Sequence, residues 1–503
     1  MVQGGNEPYV LAIDIGTESS RACLIDKNAR LVDSARVTQE LGSPQKGWAE
    51  QEPSLWWNNT RQNIRNLVER EKVSPENIEA IGVCGQMHAP VAINKGGDVV
   101  DRPTQLWCDK RTGELTKELR EREPEQGFYK RKVGNIPAPA WSGLKMKWLK
   151  RHRPEDYKQV DCFVPPKDYI NYELTGELST DYSEASGSFL MDVDTEDWSD
   201  EMIELLEVDK EKLPPIQPSD AVLGGLSQEV AKDLGLKSGI PVVVGGGDML
   251  STLLGAGIID RTVGCDTTGT ASIFSSFSPD PTESPKVMSL RHVIDGWINF
   301  GILDSGGGSL WWFRRLLEQG GDLDNSIDYA QLSEAANRAP VGSKGLYFLP
   351  YLQGERVLGS ANASGVFFGI TPAHDYSDFA RAIMEGVTYH LNQTKVLLED
   401  MIDIEHMNSI GGGAKSDIWN RVKANIYGVP VHTLEAFEGG VLGCAFLAFS
   451  ALGILDGPAG GADKLEVKNR FKPDEDQVEQ YQDRFENFQQ LHDALQPLFE
   501  QIE

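Results

Sequence analysis

An unbroken apolar run, Tyr9 to Ile13, is followed by the polar turn residues Asp14 to Thr17 and by a second apolar run across Arg21–Ile25. This order predicts a buried strand, a tight turn and a returning strand. The same order recurs half a chain later. Thr262–Asp266 leads through Thr267, Thr268, Gly269 and Thr270 into Ala271–Phe274. Two hairpins of one kind, each opening a half of the chain, predict a duplicated α/β domain. Between them lies a third apolar strand, Pro241–Val244, whose exit is Gly245-Gly246-Gly247-Asp248. The expected division follows it, into residues 1–256 and 257–503.

Helical periodicity is clearest in the second half. Phe379, Ala382, Ile383, Val387, Leu391 and Leu398 fall on one helical face, with Arg381 and Glu385 off it. Near the C-terminus Val478, Tyr481, Phe485, Phe488, Leu495, Leu498 and Ile502 form an apolar stripe, read as core or interdomain packing. Gly439–Leu455 carries no charge. It is short for a membrane span and is bounded by Glu438 and Asp456, not basic anchors, so the expected structure is a helix buried against its neighbours.

Composition narrows the class. At 503 residues the chain exceeds one compact core, and 40% hydrophobic with 25% charged residues is globular composition. A net charge of -28, from 76 acidic and 48 basic residues, repels phosphate backbones and excludes nucleic acid as an expected partner. The six cysteines are dispersed with no C-x-x-C pair, which speaks against a zinc site or disulfide framework. Met1–Pro8 lacks the basic and apolar segments of a signal peptide, so a cytoplasmic protein without membrane partners is expected.

Neither G-x-x-x-x-G-K-[ST] nor G-x-G-x-x-G occurs, so phosphate binding has to come from other glycine turns. The two Gly-Thr hairpins offer backbone N–H groups and the hydroxyls of Thr17, Ser19, Thr267, Thr268 and Thr270. Asp14 has no acidic counterpart in the second hairpin and suits a hydrated Mg²⁺. Asp248 is placed either to accept a proton from a hydroxyl or to cap a helix starting at Met249. Gly411–Gly413, Ala414, Lys415 and Ser416 precede a helical stretch, Asp417–Tyr427, on which Trp419 and Asn420 face either an adenine or the core. Gln86-Met87-His88 follows the strand Ile81–Cys84, where α/β proteins bind small molecules; Trp107, Asp109 and Arg111 form a further polar cluster.

Together these segments resemble the FGGY carbohydrate kinases. The matching motifs are Asp14–Thr17, Gly85–His88, Trp107 to Thr112 and Gly245–Asp248, then Gly365–Ile370 running on to Asp378–Glu385, and Gly411–Ser416. Trp141–Leu149 resembles the family's first signature. The resemblance implies two duplicated domains of the actin-like ATPase, or ribonuclease H-like, fold with ATP and sugar in the cleft between them. It implies Asp248 as the catalytic base and Asp14 as a Mg²⁺ anchor. Thr17, Glu18, Ser19 and Arg21, with Thr267, Thr268, Gly269 and Thr270, would hold phosphates. Gly412, Gly413, Ser416 and Asn420 would line the adenosine pocket, and Gln86, Met87, His88, Trp107, Asp109 and Asp248 would meet the sugar.

Gln86-Met87-His88, Val164–Tyr169 through Leu174–Gly176, and Tyr351–Arg356 are similar to members that phosphorylate D-xylulose, the expected substrate. Ala89-Pro90, Ser305–Gly308 and Val357-Leu358-Gly359 depart from that pattern, so ribulose, erythritol and glycerol stay open. A homodimer is the family expectation. An actin-like ATPase and a catalytically dead sugar sensor are the competing classes, and the retained Asp14, Asp248 and sugar loop speak against both.

Overall fold

The computed structural model describes residues 7–100, 103–319, 327–355, 362–435 and 437–501. Val357-Leu358-Gly359, Arg356 and Ile502 therefore lie outside the described residues. Among those described, the main strands form two seven-stranded mixed sheets that share one spatial order over six strands. In the first, Tyr9–Ile15, Ser19–Asp26 and Leu31–Thr38 make an antiparallel meander. On the other side of Tyr9–Ile15 come the parallel strands Ile78–Gly85 and Pro241–Val243, then antiparallel Val222–Gly225. In the second, Val263–Thr268, Ser272–Ser278 and Trp297–Leu303 make the meander. Parallel His406–Ile410 and Val431–Leu434 and antiparallel Val467–Phe471 complete the copy. The duplication expected from the two hairpins is thus present in six strands of each sheet, while Gly246–Gly247 in the first and Met288–Arg291 in the second have no counterpart, and helices cover the sheets as in other α/β folds.

Tyr9–Ile15 is apolar without alternation because both of its faces are covered. Leu11 and Ile13 pack with the core that includes Trp56 and Leu67. Val10 and Ala12 pack with the core that includes Leu442, Phe446 and Phe449. Those last residues belong to the helix Gly440–Ala451, which is apolar all round and buried over almost its whole length. It comes from the second half of the chain, yet it packs on the strands Tyr9–Ile15 and Ile78–Gly85 and on the helix Asp248–Gly255 of the first. A Cβ at Gly443 would strike the carbonyl of Ser251, so the two helices cross with only glycine between their backbones. No helix among the described residues is long and apolar enough to cross a membrane. Elsewhere, Lys130 donates to the carbonyl of Val287 (2.6 Å), and Asn135 exchanges hydrogen bonds with the backbone of Ser289, tying the halves along the strand Met288–Arg291.

Two helices add to what their periodicity predicts. In Tyr376–Leu397 the charged Arg381 and Glu385, off the apolar face, are buried as well. Helix and loop cover that side as well, and the charges survive there because they satisfy each other. Arg381 Nε donates to Glu385 Oε1 (2.9 Å), the Tyr481 hydroxyl donates to the same oxygen (2.8 Å), and Ser343 Oγ donates to Oε2 (3.0 Å). In the last helix, Glu475–Phe499, the stripe ends on buried Phe499 while Leu498 is exposed.

Candidate active site

Asp14 lies near the end of its strand, in register with Arg21 on one side and Cys84 on the other. Arg21 reaches across to the segment before the central helix, donating to Glu438 Oε2 (3.0 Å) and to its carbonyl (2.6 Å), and stands 3.8 Å from Asp14. Burial raises the Asp14 carboxyl above its ordinary range, against the opposing pull of Arg21 and a hydrogen bond from Cys84. Arg21, expected at phosphate, is here a bridge between the two halves beside Asp14.

Asp248 completes this corner. It is the first residue of the helix Asp248–Gly255, so the cap position belongs to Gly247, and its Oδ1 accepts the N–H of Met249 at 2.7 Å. Burial lifts its carboxyl to about 7, the negative charge of Asp14 adds to the rise, and the Met249 N–H opposes it. Two buried carboxyls, both with raised proton affinity and one raised in part by the other's charge, are a setting that a divalent cation relieves. No group of three or more His, Cys, Asp or Glu able to hold a metal occurs among the described residues. A cation here would keep most of its ligands as water and phosphate oxygen, which suits Mg²⁺.

The Gln86-Met87-His88 loop is built onto the same corner. A Cβ on Gly247 would sit 2.6 Å from Met87 Sδ, so the buried Met87 packs directly on the exit leading to Asp248. Gln86 Oε1 accepts the Thr17 hydroxyl (3.0 Å), and Thr17 Oγ1 accepts the indole N–H of the half-exposed Trp107 (3.0 Å). Gln51, which no motif marked, stitches the set together. Its amide nitrogen donates to the Thr17 carbonyl (2.8 Å), and its oxygen accepts from Gln86 (3.1 Å) and Trp56 (3.0 Å). The Thr17 hydroxyl is thus committed to Gln86 and not to phosphate. Ser19 Oγ likewise accepts Arg36 Nε (2.8 Å), and Glu18 is exposed at the turn.

His88 takes a left-handed backbone, φ 65°, unusual for a residue with a side chain. Its Nδ1 faces the carbonyl of Gly187 at 2.9 Å, so Nδ1 carries the hydrogen and Nε2 is left as an acceptor. Burial, reinforced by the Lys145 charge, drops its pKa to about 3 and keeps the ring neutral. Lys145, fully buried, donates to the carbonyls of His88 and Leu106 at 2.7 Å each, joining the His88 loop to the Trp107 loop. Asp109 is otherwise engaged. It accepts Arg111 Nε (2.9 Å) and Nη2 (2.6 Å) and the Ala49 N–H (2.7 Å), while Arg111 stacks 3.6 Å over Trp48. Direct contact between Asp109 and substrate does not fit this arrangement; its role is to hold Arg111.

The second hairpin carries its own cluster. Along Val263–Thr268 side chains alternate, so Asp266 and Thr268 share the inward face. Thr268 donates to Asp266 Oδ1 (2.6 Å), and the buried Lys423 donates to both (2.6 Å to Asp266, 2.9 Å to Thr268). Tyr427 donates to Asp266 Oδ2 (2.7 Å). The Thr268 hydroxyl, expected at phosphate, is consumed inside this network. Thr267 is partly buried, and Gly269 and Thr270 are exposed at the turn. The helix Gly306–Gln319 begins beside it, with the Gly308 N–H on the Thr270 carbonyl at 3.0 Å.

The glycine turn lies on this hairpin. Gly411 has φ 81°, and a Cβ there would approach the Thr268 carbonyl to 2.6 Å. Gly412 is exposed, Gly413 buried. Ser416 caps the helix Asp417–Tyr427 by accepting the Trp419 N–H (3.3 Å) and donates to Ser333 (3.0 Å). Trp419 faces the core, its indole N–H on Thr388. Buried Asn420 donates to the Ala414 carbonyl (2.8 Å), so it braces the turn from below.

Comparison with known proteins agrees with this geometry. The family model "FGGY family of carbohydrate kinases, N-terminal domain" matches residues 9–255, and its C-terminal counterpart matches residues 266–452. The xylulose kinase of Escherichia coli strain K12 is 30% identical, across 97% of this chain and 99% of that protein. Among solved structures, gluconate kinase from Lactobacillus acidophilus superposes with a TM-score of 0.92 at 26% identity, over 99% of this chain and 100% of that one. Xylulose kinase from Rhodospirillum rubrum gives 0.90 at 27% identity, over 98% and 100%.

Proposed function

This chain belongs to the FGGY family of carbohydrate kinases, and from that premise we propose that it transfers the γ-phosphoryl group of Mg-ATP to a terminal hydroxyl of D-xylulose, giving D-xylulose 5-phosphate. The observation that carries the chemistry is Asp248, a desolvated carboxylate standing where the sugar loop meets Asp14. Asp248 removes the hydroxyl proton as that oxygen attacks the γ-phosphorus; the bond to the bridging oxygen breaks, and ADP departs with the electron pair. Mg²⁺ beside Asp14 would neutralise the phosphate oxygens. The second hairpin and the Gly411–Gly413 turn hold the nucleotide, largely through backbone N–H groups, because Thr268 and Ser416 have spent their hydroxyls on packing. The first half, residues 1–256, carries sugar and base; the second, 257–503, carries ATP.

D-Xylulose is supported by the relatives' activity and by the Gln86-Met87-His88 loop. D-Gluconate, the substrate class of one structural neighbour, is a charged competitor. A carboxylate calls for a cation, and Lys145, on the helix Ser142–His152, and Arg111 are committed to carbonyls and to Asp109. A neutral acceptor fits the neutral His88 better. ADP release with Mg-ATP against D-xylulose, D-ribulose, erythritol, glycerol and D-gluconate tests this. The highest kcat/KM is expected with D-xylulose; preference for any other acceptor overturns the substrate while the family's reaction stands.

The raised Asp248 pKa sets a pH dependence. The base works only as the carboxylate, so kcat/KM for the sugar should climb about tenfold per pH unit below about 7 and level off above it. A profile flat down to pH 5 would remove Asp248 from the proton transfer.

A further inference from the structure

Beneath Asp248 lies a buried ionic cluster that the reaction as described leaves without a task. Lys167, Asp168 and Asp181 are fully or almost fully enclosed. Lys167 Nζ donates to Asp168 Oδ1 (2.6 Å) and stands 3.1 Å from Asp181 Oδ1. It also donates to the carbonyl of Val244 at 3.1 Å, which Asn171 bonds as well at 2.8 Å. Val244 is the last residue before the glycine run. At the other end of that run the N–H of Gly247 donates to Ser183 Oγ (2.9 Å), and Ser183 Oγ donates to Asp181 Oδ2 (2.6 Å). Ser219 Oγ donates to the same oxygen at 3.0 Å.

Both ends of Gly245-Gly246-Gly247 are therefore tied to one cluster, with Asp181 joining Lys167 to Ser183. Three consecutive glycines have no side chains to fix their own course, and Gly245 sits at φ 74°. Whatever stands next in the chain is aimed only as well as the run is held. Burying a lysine among carboxylates is no efficient route to stability, since apolar packing of the same volume does as well or better.

We propose that Lys167 and Ser183, coupled through Asp181, are positioning residues that hold the glycine run and so aim Asp248 at the acceptor hydroxyl. This rests on Asp248 being the base. Lys167 and Ser183 touch neither substrate; they act through the backbone of Val244 and Gly247.

The test is steady-state kinetics of Ser183→Ala, Lys167→Met and Asp248→Asn in the full chain, with ATP and the best acceptor from the panel, normalised to folded protein by circular dichroism. Ser183→Ala removes one hydroxyl and no charge. It is expected to lower kcat about tenfold, with both KM values within about twofold, because misplacement costs the transition state and not ground-state binding. Lys167→Met is expected to lower kcat about a hundredfold per folded molecule. If Lys167→Met does not fold, Ser183→Ala decides alone. Full kcat in folded Ser183→Ala, beside an inactive Asp248→Asn, overturns the positioning role and keeps the base. Turnover retained in Asp248→Asn overturns the base itself.

Discussion

Asp248→Asn will lower kcat on the order of a thousandfold while leaving the KM for ATP near its original value. The replacement keeps the shape of the side chain and an oxygen for the Met249 N–H, so the helix start is undisturbed. What it removes is a carboxyl poised to take a proton near neutrality. The same change should make the protein more stable at pH 8. A carboxyl whose folded pKa is raised to about 7 destabilises the fold progressively as pH rises from its ordinary range near 4 to 7, and by a constant amount above. Asn carries no such penalty. Thermal unfolding of both proteins at pH 8 and pH 4 checks the sign: the variant should gain on the wild type at pH 8, and the gain should shrink at pH 4. An inactive variant with a lower midpoint at pH 8 would mean that Asp248 is structural.

Lys423→Met should act on the nucleotide side and on stability together. It strands Asp266, which is fully buried, with only the Thr268 and Tyr427 hydroxyls as donors. Breaking a buried pair from one side costs about 3–5 kcal/mol, enough to lower the unfolding midpoint on the order of ten degrees. Because Thr268 anchors the turn against which Gly411 rests, the KM for ATP should rise about tenfold while the KM for the sugar holds. Adding Asp266→Asn removes the stranded charge and should restore part of the midpoint without restoring the KM for ATP. Calorimetry and two-substrate kinetics separate these effects, and an unchanged KM for ATP in folded protein would unlink Lys423 from nucleotide binding.

The parts of the site that could be read along the chain are those with local signals. Gly-Thr turns, the glycine exit before Asp248 and the glycine turn before Asp417 each declare a backbone that must bend or approach closely. The parts that could not be read are held by distant partners. Lys423 meets Asp266 across 157 residues, Lys167 meets Val244 across 77, and Arg21 meets Glu438 across 417. Gln51 lies in no motif, and Lys145 lies within Trp141–Leu149 with no local sign of the carbonyls it binds. Some misreadings had a usable signal. Strand alternation puts Thr268 on the side of Asp266 and opposite Thr267 in Val263–Thr268, so the two threonine hydroxyls could not both face one phosphate. The burial of Arg381 and Glu385 had no such signal, because one apolar helical stripe says nothing about what covers the opposite side.

The helix Gly440–Ala451 also sets an order of events during synthesis. The strands Tyr9–Ile15 and Ile78–Gly85 leave the ribosome early, but the layer that covers one face of them is encoded some 350 residues later, about 20–70 seconds behind at ordinary elongation rates. Until then the first sheet presents an apolar face with no permanent cover. The nascent first half is consequently a client for holding chaperones, and chains cut short before residue 440 should aggregate through that face instead of persisting as a free domain.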